Sequence, residues 1–512
     1  MNSEQMTELT ERWVAPEFAG VMDALLGERP SVYVVGGAVR DALLSREAGV
    51  TDLDLALASP VLPLARRVAD RLGWAYYPLD AERDVARIVL NRADAPPLVC
   101  DLAALRGDLA ADLALRDFTV NAMALELRPD QPPRLIDLCG GAADLDARRI
   151  RAVSQESLAA DPVRMLRAVR FAGQLDFTID EKTERQIQPL AAQVSQASAE
   201  RQRDELWKIL ALPLPGDAVA ELHRLGLLIN VLPEVAATDH IRQSPPHHLD
   251  VLAHTVQVMN YAAALRDWLA DERENLPDGD LQSALSPWRE KLTEHFSEEL
   301  STGHSRAGWL VWHALFHDTG KPAAFSEEVD ETGERRIRFF GHEEISARMA
   351  AQRSEALRFS RREVQMAQAV AAAHMRPHHL SDSFPGGAIS RRACYRFLRD
   401  TASGERGDRT GLDVLLLALA DRQAPGKARG GGWGAYLSGI TGIIDFAFAP
   451  NTAVAGNTLV DGNTLMRSLD LAPGRMVGFL LESIAEAQAA GEVTSEAEAL
   501  VLAGELFRRA DW

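Results

Sequence analysis

Cysteine is scarce: Cys100, Cys139 and Cys394 are three in 512 residues, odd in number and far apart. That argues against a disulfide framework or a zinc knuckle and fits a reducing compartment. No run of about 18 apolar residues occurs, which excludes a spanning helix. The polar opening MNSEQMTELTERW lacks the basic and apolar regions of a secretory signal, so a cytoplasmic location with no membrane partner is expected. Positive charge is also short: 55 Lys and Arg against 74 Asp and Glu leave a net charge of −19. Binding that coats nucleic acid indiscriminately rests on clustered cations, so the acidic total argues against such a role, whereas it does not exclude one locally basic groove.

What is present is ordinary for a globular chain, 46% hydrophobic and 25% charged. Its length exceeds what one core supports, so roughly two to four domains are expected. The most informative stretch is SVYVVGGAVRDALLSREAGVTDLDLALA, residues 31–58. It reads as a short apolar strand, a turn at Gly36 and Gly37, a short helix over 38–44, and a second strand carrying Asp52 and Asp54. A strand repeats every two residues, so these carboxylates share a face with backbones about 7 Å apart. Paired carboxylates at that spacing suit Mg²⁺, which takes oxygen ligands and leaves positions for substrate phosphates. Glycines with no side chain to hold a ligand away, ahead of helical N–H groups, suit a triphosphate. Taken singly, a double glycine is common in turns and alternating Asp is common on a solvated sheet face.

In this order, Gly36, Gly37, Val39, Arg40, Asp41, Asp52 and Asp54 resemble the signature of the class II tRNA nucleotidyltransferases and bacterial poly(A) polymerases. LRDFTVNA, residues 115–122, resembles that family's second motif; Arg116, Asp117 and Asn121 match, while Leu115 replaces its first arginine. Arg116 offers a planar fork to phosphate oxygens, and Asn121 can bond a sugar hydroxyl or hold its own turn. IDLCGGAADL, residues 136–145, resembles a third motif, with Asp137 and the glycines Gly140 and Gly141 forming a structural turn. From Asp161 the chain reads as helix, with Asp161 as the cap and Pro162 at the first position. The same string resembles the motif whose Asp and Arg read the base of the incoming nucleotide; Asp161 and Arg164 match, and Ala160 replaces its leading Glu. An Asp accepts from an exocyclic amine while an Arg donates, a pairing that cytosine and adenine both satisfy. Arg167 follows at helical spacing as a further phosphate or base contact, with surface ion pairing as the plain alternative. Asp101, ending a strand over 98–102 beside one over 85–90, is either a third metal-supporting carboxylate or a strand-end cap.

A second constellation comprises His254, the adjacent pair His317 and Asp318, and Asp421. A lone buried histidine is more often core than ligand, but this set resembles the ligands of the HD phosphohydrolases. His342 and His374 are placed to complete a second metal position or to serve as an acid, and Lys321 to hold a phosphate. Imidazole and carboxylate together suit a divalent transition metal, or Mg²⁺, with bound water as nucleophile.

The expected fold is α+β: a small mixed-sheet nucleotidyltransferase head over 1–150, a helical base-selecting and neck region over 151–238, a helical HD domain over 239–425, and a linker with a helical tail over 426–512. The stretch 270–305 reads as a surface insertion without periodicity. In the tail, a helix ending at Ala490, Gly491 as its stop, and Ser495 with Glu498 at capping-box spacing suggest a helical hairpin. The resemblance implies template-independent addition of CMP, with AMP addition open, to tRNA 3′ ends from CTP and ATP, with Mg²⁺ at Asp52 and Asp54. Poly(A) synthesis is the alternative within the family; an HD phosphohydrolase with a nucleotide-binding head is the alternative outside it. Between Asp101 and the Arg116 motif only a short interval is available, residues 106–111 before Asp112. Within the family, loss of the longer segment accompanies enzymes that add two cytidines and leave the adenosine to a separate A-adding enzyme.

Overall fold

The computed structural model describes residues 16–29, 31–44, 51–93, 95–129, 131–245, 248–329, 333, 335–404, 408–424, 432–449 and 458–509. The polar opening and most of the glycine-rich linker, residues 425–431, lie outside the described residues. Contacts divide the chain into two units, Met1–Ala197 and Ser198–Trp512.

The first unit is built on a seven-stranded sheet: β1 (Val32–Val35), β2 (Asp52–Leu57), β3 (Ala75–Asp80), β4 (Val85–Leu90), β5 (Leu98–Ala104), β6 (Met123–Arg128) and β7 (Gln131–Asp137), in spatial order β3-β4-β5-β2-β1-β6-β7. All neighbours are antiparallel except β2 and β5. In β2 the period of two is explicit: Leu53, Leu55 and Leu57 are buried, while Asp52 and Asp54 are exposed. β4 and β5 lie where the sequence suggests, with β5 running two residues further. β6 escapes a periodicity reading because its first five residues are buried on both faces.

The expected break at residue 150 does not divide the contacts. Arg149–Ile150 pairs in parallel with Thr178–Ile179, and Thr119 N–H and Val153 N–H donate to Arg151 O and Asp117 O. Residues 151–197, including the helix Val163–Leu175, therefore cluster with the sheet.

In the second unit the neck residues 198–238 cluster with the helices C-terminal to them; Gly216 N–H, for example, donates to the Asn260 side chain at 2.9 Å. The centre of this unit is a set of helices, Val251–Leu269, Arg306–Phe316, His342–Ala356, Arg361–Ala373 and Thr410–Gln423, around Trp309, Trp312 and Phe316. The stretch 270–305 is more ordered than its sequence suggests. It forms the helices Gly279–Leu285 and Arg289–Phe296 and the short hairpin Glu299–Ser301/His304–Ser305, and it buries Leu281, Leu285, Leu292 and Phe296. Helices of two turns are too short to display a period.

The expected helical hairpin is present as Arg475–Ala490 and Glu496–Arg509, and among the described residues a shorter helix before it packs against both. Gly462–Leu469 joins Arg475–Ala490 and Glu496–Arg509 around Leu465, Leu480, Ile484, Ala499 and Ala503. Gly491 closes the middle helix at φ +81°. Ser495 Oγ accepts from Glu498 N–H at 3.3 Å, but the Glu498 carboxylate reaches Thr494 N–H at 2.7 Å, one residue before the expected partner. Arg396 and Arg399 of the helix Arg391–Asp400 pair with Glu486 and Glu482, each at 2.5 Å, and tie the tail to it.

Candidate active sites

In the first unit, β2 and β5 run in parallel register with Asp54 opposite Asp101. Three carboxylates therefore gather on two adjacent strands. Lost hydration raises the carboxyl of Asp54 to about 6, helped by repulsion from Asp52 and Asp101; Asp52 is raised by burial and by repulsion from Asp101. Such a cluster accommodates a cation readily, because every member is relieved by one. Asp101 is already engaged, accepting from Arg87 Nε at 2.7 Å and Nη2 at 2.8 Å. Its partner went unread because only the antiparallel register of β4 and β5 sets Arg87 opposite Asp101.

Gly36 sits against this group at φ +79°; a Cβ there would lie 3.1 Å from Asp54 Oδ2 and 3.4 Å from Arg116 Nη1. The glycine is thus required twice, by its backbone and by the carboxylate beside it. Arg116 stands beside the same group and is held by Asp112 Oδ2 at 3.3 Å. Asp112, buried, also binds Arg106 Nε at 2.8 Å, and Asp108 caps the helix Leu109–Ala114 through Ala111 N–H. The short interval 106–111 is therefore anchored at both ends, a role for Asp112 that no motif signalled.

Arg40, Asp117 and Asn121 are buried together. Arg40 Nη1 donates to Asn121 Oδ1 at 2.8 Å, its Nε and Nη2 bind Asp41, and Asn121 Nδ2 reaches Asp117 Oδ1 at 3.3 Å. Asp117 Oδ2 lies 2.7 Å from Arg167 Nη2. The guanidinium groups of Arg40, Arg167 and Arg170 surround the Phe171 ring at 5.2, 5.5 and 4.1 Å. These contacts give Arg40, Asp117 and Asn121 a positioning role, linking the turn at Gly37 to the helix Val163–Leu175.

Asp161 stands in extended backbone just before that helix, with Pro162 rather than Asp161 in the cap position. Arg164 Nε is 3.8 Å from Asp161 Oδ2, and Arg164 Nη1 donates to Ser157 O at 3.1 Å. Burial lowers the Arg164 pKa despite Asp117 and Asp161 nearby. Asp137 accepts from Gly141 and Ala142 N–H at 2.8 and 2.9 Å, the structural turn anticipated for it.

In the second unit, His254, His317, Asp318, His342, His374 and Asp421 converge and are all buried. His254 Nε2 is 2.8 Å from Asp421 Oδ1, and His317 Nε2 is 3.1 Å from Asp318 Oδ2. On its other side, Asp318 Oδ1 lies 3.3 Å from His342 Nε2 and 3.7 Å from His374 Nε2. Asp318 thus stands between two potential ligand groups, one with His254 and His317, the other with His342 and His374.

The residues fit metals on their own geometry. His317, His342 and His374 each commit Nδ1–H to a backbone carbonyl at 2.7 Å, namely Ala314, Phe339 and Ala371. Each Nε2 is then left facing inward, the arrangement that orients metal-binding imidazoles. His342 and His374 point these atoms at each other across 3.2 Å, and His317 Nε2 faces Asp318 Oδ2 at 3.1 Å. Burial depresses His374 to about 4, so it is neutral near pH 7. Burial opposes ionisation of Asp318, but His317 and Lys321 outweigh it and hold its carboxyl well below the usual range. Lys321 Nζ donates to Asp318 Oδ2 at 2.6 Å. His378, not anticipated, contacts Asp421 Oδ2 at 3.0 Å. Its spacing of four from His374 was the available signal.

Residues 32–151 match the poly(A) polymerase head domain. Residues 176–238 match a segment described as "Probable RNA and SrmB- binding site of polymerase A", and residues 251–425 match the HD domain. The chain is 33% identical over 478 residues to the A-adding tRNA nucleotidyltransferase of Deinococcus radiodurans, covering 92% of this chain and 94% of that protein. It belongs to the tRNA nucleotidyltransferase family. A second member, the CC-adding tRNA nucleotidyltransferase of Thermus thermophilus, is 30% identical over 91% of this chain and 92% of its own length. Among solved structures, a CCA-adding enzyme with ATP shares the fold at a TM-score of 0.65 and 20% identity, covering 99% of this chain and 97% of that one. No helix among the described residues is long and apolar enough to cross a membrane.

Proposed function

We propose that this member of the tRNA nucleotidyltransferase family extends tRNA 3′ ends without a template, and that a second, buried centre hydrolyses phosphoesters. The observation that carries the first reading is the gathering of Asp52, Asp54 and Asp101 beside Gly36 and Arg116. The tRNA 3′-hydroxyl oxygen forms a bond to the α-phosphorus of the incoming nucleotide, the bond from that phosphorus to the bridging oxygen breaks, pyrophosphate leaves, and the hydroxyl proton passes to water. Asp52 and Asp54 would hold divalent metal, Mg²⁺ by the all-oxygen chemistry of the donors, which supplies charge neutralisation at the triphosphate. Gly36 keeps the approach to Asp54 open. Arg116 offsets carboxylate and phosphate charge, while Arg40, Asn121 and Asp117 fix the turn that Gly37 begins. Asp161 and Arg164 present an acceptor and donors to the base edge.

At the second centre, water oxygen bonds to phosphorus, the ester P–O bond breaks, and the alcohol leaves with the proton. His254, His317, Asp318, Asp421, His342 and His374 would hold the metals, whose role is to activate that water. The imidazole content suits a divalent transition metal.

For base choice, the reading is addition of cytidines only, with the terminal adenosine left to a separate enzyme. The anchoring of residues 106–111 by Asp108 and Asp112 supports it, because a pocket that must change from cytosine to adenine needs a segment free to move. Likeness to the A-adding Deinococcus protein favours the second reading, addition of adenosine alone. Three tRNA transcripts, ending before the first C, after one C and after two, are incubated with CTP and ATP separately and together, and the products sequenced. Two added cytidines and no adenosine support the first reading. Adenosine added only to the last transcript supports the second, and no extension of any transcript overturns both.

A further inference from the structure

The buried His/Asp centre opens into a cavity of about 620 Å³. Its volume falls in the range that accepts a small organic ligand, larger than phosphate alone requires. Although the protein carries a net charge of −19, Lys321, Arg336, Arg338 and Arg422 line this cavity. Arg336 and Arg338 belong to the strand Arg335–Arg338, which pairs with Ser326–Val329; two residues apart, they share a face. Ser244 pins the strand, accepting from Ile337 N–H at 2.6 Å.

The strand runs straight into Phe339, Phe340 and Gly341, then His342. Phe339 is half-buried and already has ring neighbours: its carbonyl holds His342 Nδ1, and its ring lies 5.4 Å from Lys321 Nζ and 6.0 Å from the Phe325 ring. Phe340 is different. It lines the cavity yet is 73% exposed, with the Arg338 guanidinium 6.0 Å from its ring centroid. An exposed aromatic ring beside arginine is how proteins stack bases while meeting phosphate charge. Among the described residues no carboxylate pairs with Arg338, which leaves its charge available to a ligand.

We propose that Phe340 and Arg338 form a nucleobase platform at the mouth of this cavity, so that the phosphoester hydrolysed here is carried on a nucleoside. This rests on the phosphohydrolase reading of the centre. The base stacks on Phe340, Arg338 spans ring and phosphate, and Lys321 meets the phosphate beside Asp318.

The test uses the full-length protein with added Mn²⁺ and measures phosphate release from a nucleoside monophosphate and from ribose 5-phosphate, which lacks a base. Phe340→Ala raises KM for the nucleotide about 10-fold, the effect of losing one stacked base, and leaves kcat and KM for ribose 5-phosphate unchanged; Phe340→Trp restores the nucleotide KM. Equal effects on both substrates, or none, overturn the platform. Calorimetric titration with a nucleoside phosphorothioate gives a readout independent of turnover, and binding at the head is common to wild type and variant. If neither ester is hydrolysed by the wild-type protein, the phosphohydrolase reading falls, and the platform is judged by calorimetry alone: about 10-fold weaker binding by Phe340→Ala supports it, equal binding overturns it.

Discussion

The two centres solve the same problem, holding divalent cations against phosphate, from opposite directions. In the head, Asp52 and Asp54 come from one strand and are raised by lost hydration and carboxylate repulsion. In the second unit, six ligand candidates come from five separate places in the chain, are buried, and leave Asp318 strongly acidic. A carboxylate cluster of the first kind depends on the arriving metal and triphosphate for its charge balance. A histidine-rich cage of the second kind is oriented in advance by its carbonyl partners. The contrast predicts a weakly held, exchangeable metal at the first centre and a retained one at the second.

The largest effect that would sharpen this comparison is loss of the carboxylate itself. Asp54→Ala is expected to reduce nucleotide addition by roughly 10³-fold, the several kcal/mol a catalytic metal contributes, while phosphoester hydrolysis is unchanged; gel-resolved extension and phosphate release measure the two. Residual addition within about tenfold of wild type would remove the metal role from Asp54.

Smaller, and confined to the head, is Gly36→Ala. The added methyl stands 3.1 Å from Asp54 Oδ2 on backbone at φ +79°. Backbone at φ +79° and ψ −143° is open essentially to glycine alone, and another residue there costs about 1–3 kcal/mol, so thermal unfolding should show a stability loss of that order together with slower addition. Wild-type rate and stability would mean that the turn relaxes freely and that its closeness to Asp54 does not matter.

A third effect, seen only in acid, concerns the second unit away from its metal ligands. His304, Ser301 and Ser360 hold Glu363 to about 2 against the opposing effect of burial. Because the folded pKa is depressed, this contribution is complete above the unfolded value near 4.5 and is lost as pH falls through about 2. Denaturant midpoints measured down that window should fall more steeply in wild type than in Glu363→Gln. Parallel curves would show that Glu363 does not couple folding to protons.

How far the sequence revealed each centre comes down to the same contrast. A period of two is local, so the shared face of Asp52 and Asp54 needed only six consecutive residues. Asp101 was visible as a carboxylate on a neighbouring strand, although it lies mid-strand rather than at the end; Arg87 was not, because cross-strand register is invisible without pairing. Arg40 and Asn121 carried motif identity, yet their mutual hydrogen bond joins residues 81 positions apart, so their positioning role emerged only in three dimensions. The histidines of the second centre were recognisable by type and family pattern, whereas the bridging placement of Asp318 and the contact of His378 with Asp421 depend on tertiary packing. The stretch 270–305 misled because two-turn helices lack room for periodicity.

The most direct test of the account is metal content. Wild type, Asp54→Ala and Asp318→Ala are loaded with Mn²⁺, passed through a desalting column, and assayed for bound metal by elemental analysis. The account predicts that wild type and Asp54→Ala retain the same content and that Asp318→Ala loses it. Full retention by Asp318→Ala, or loss caused by Asp54→Ala, would contradict it.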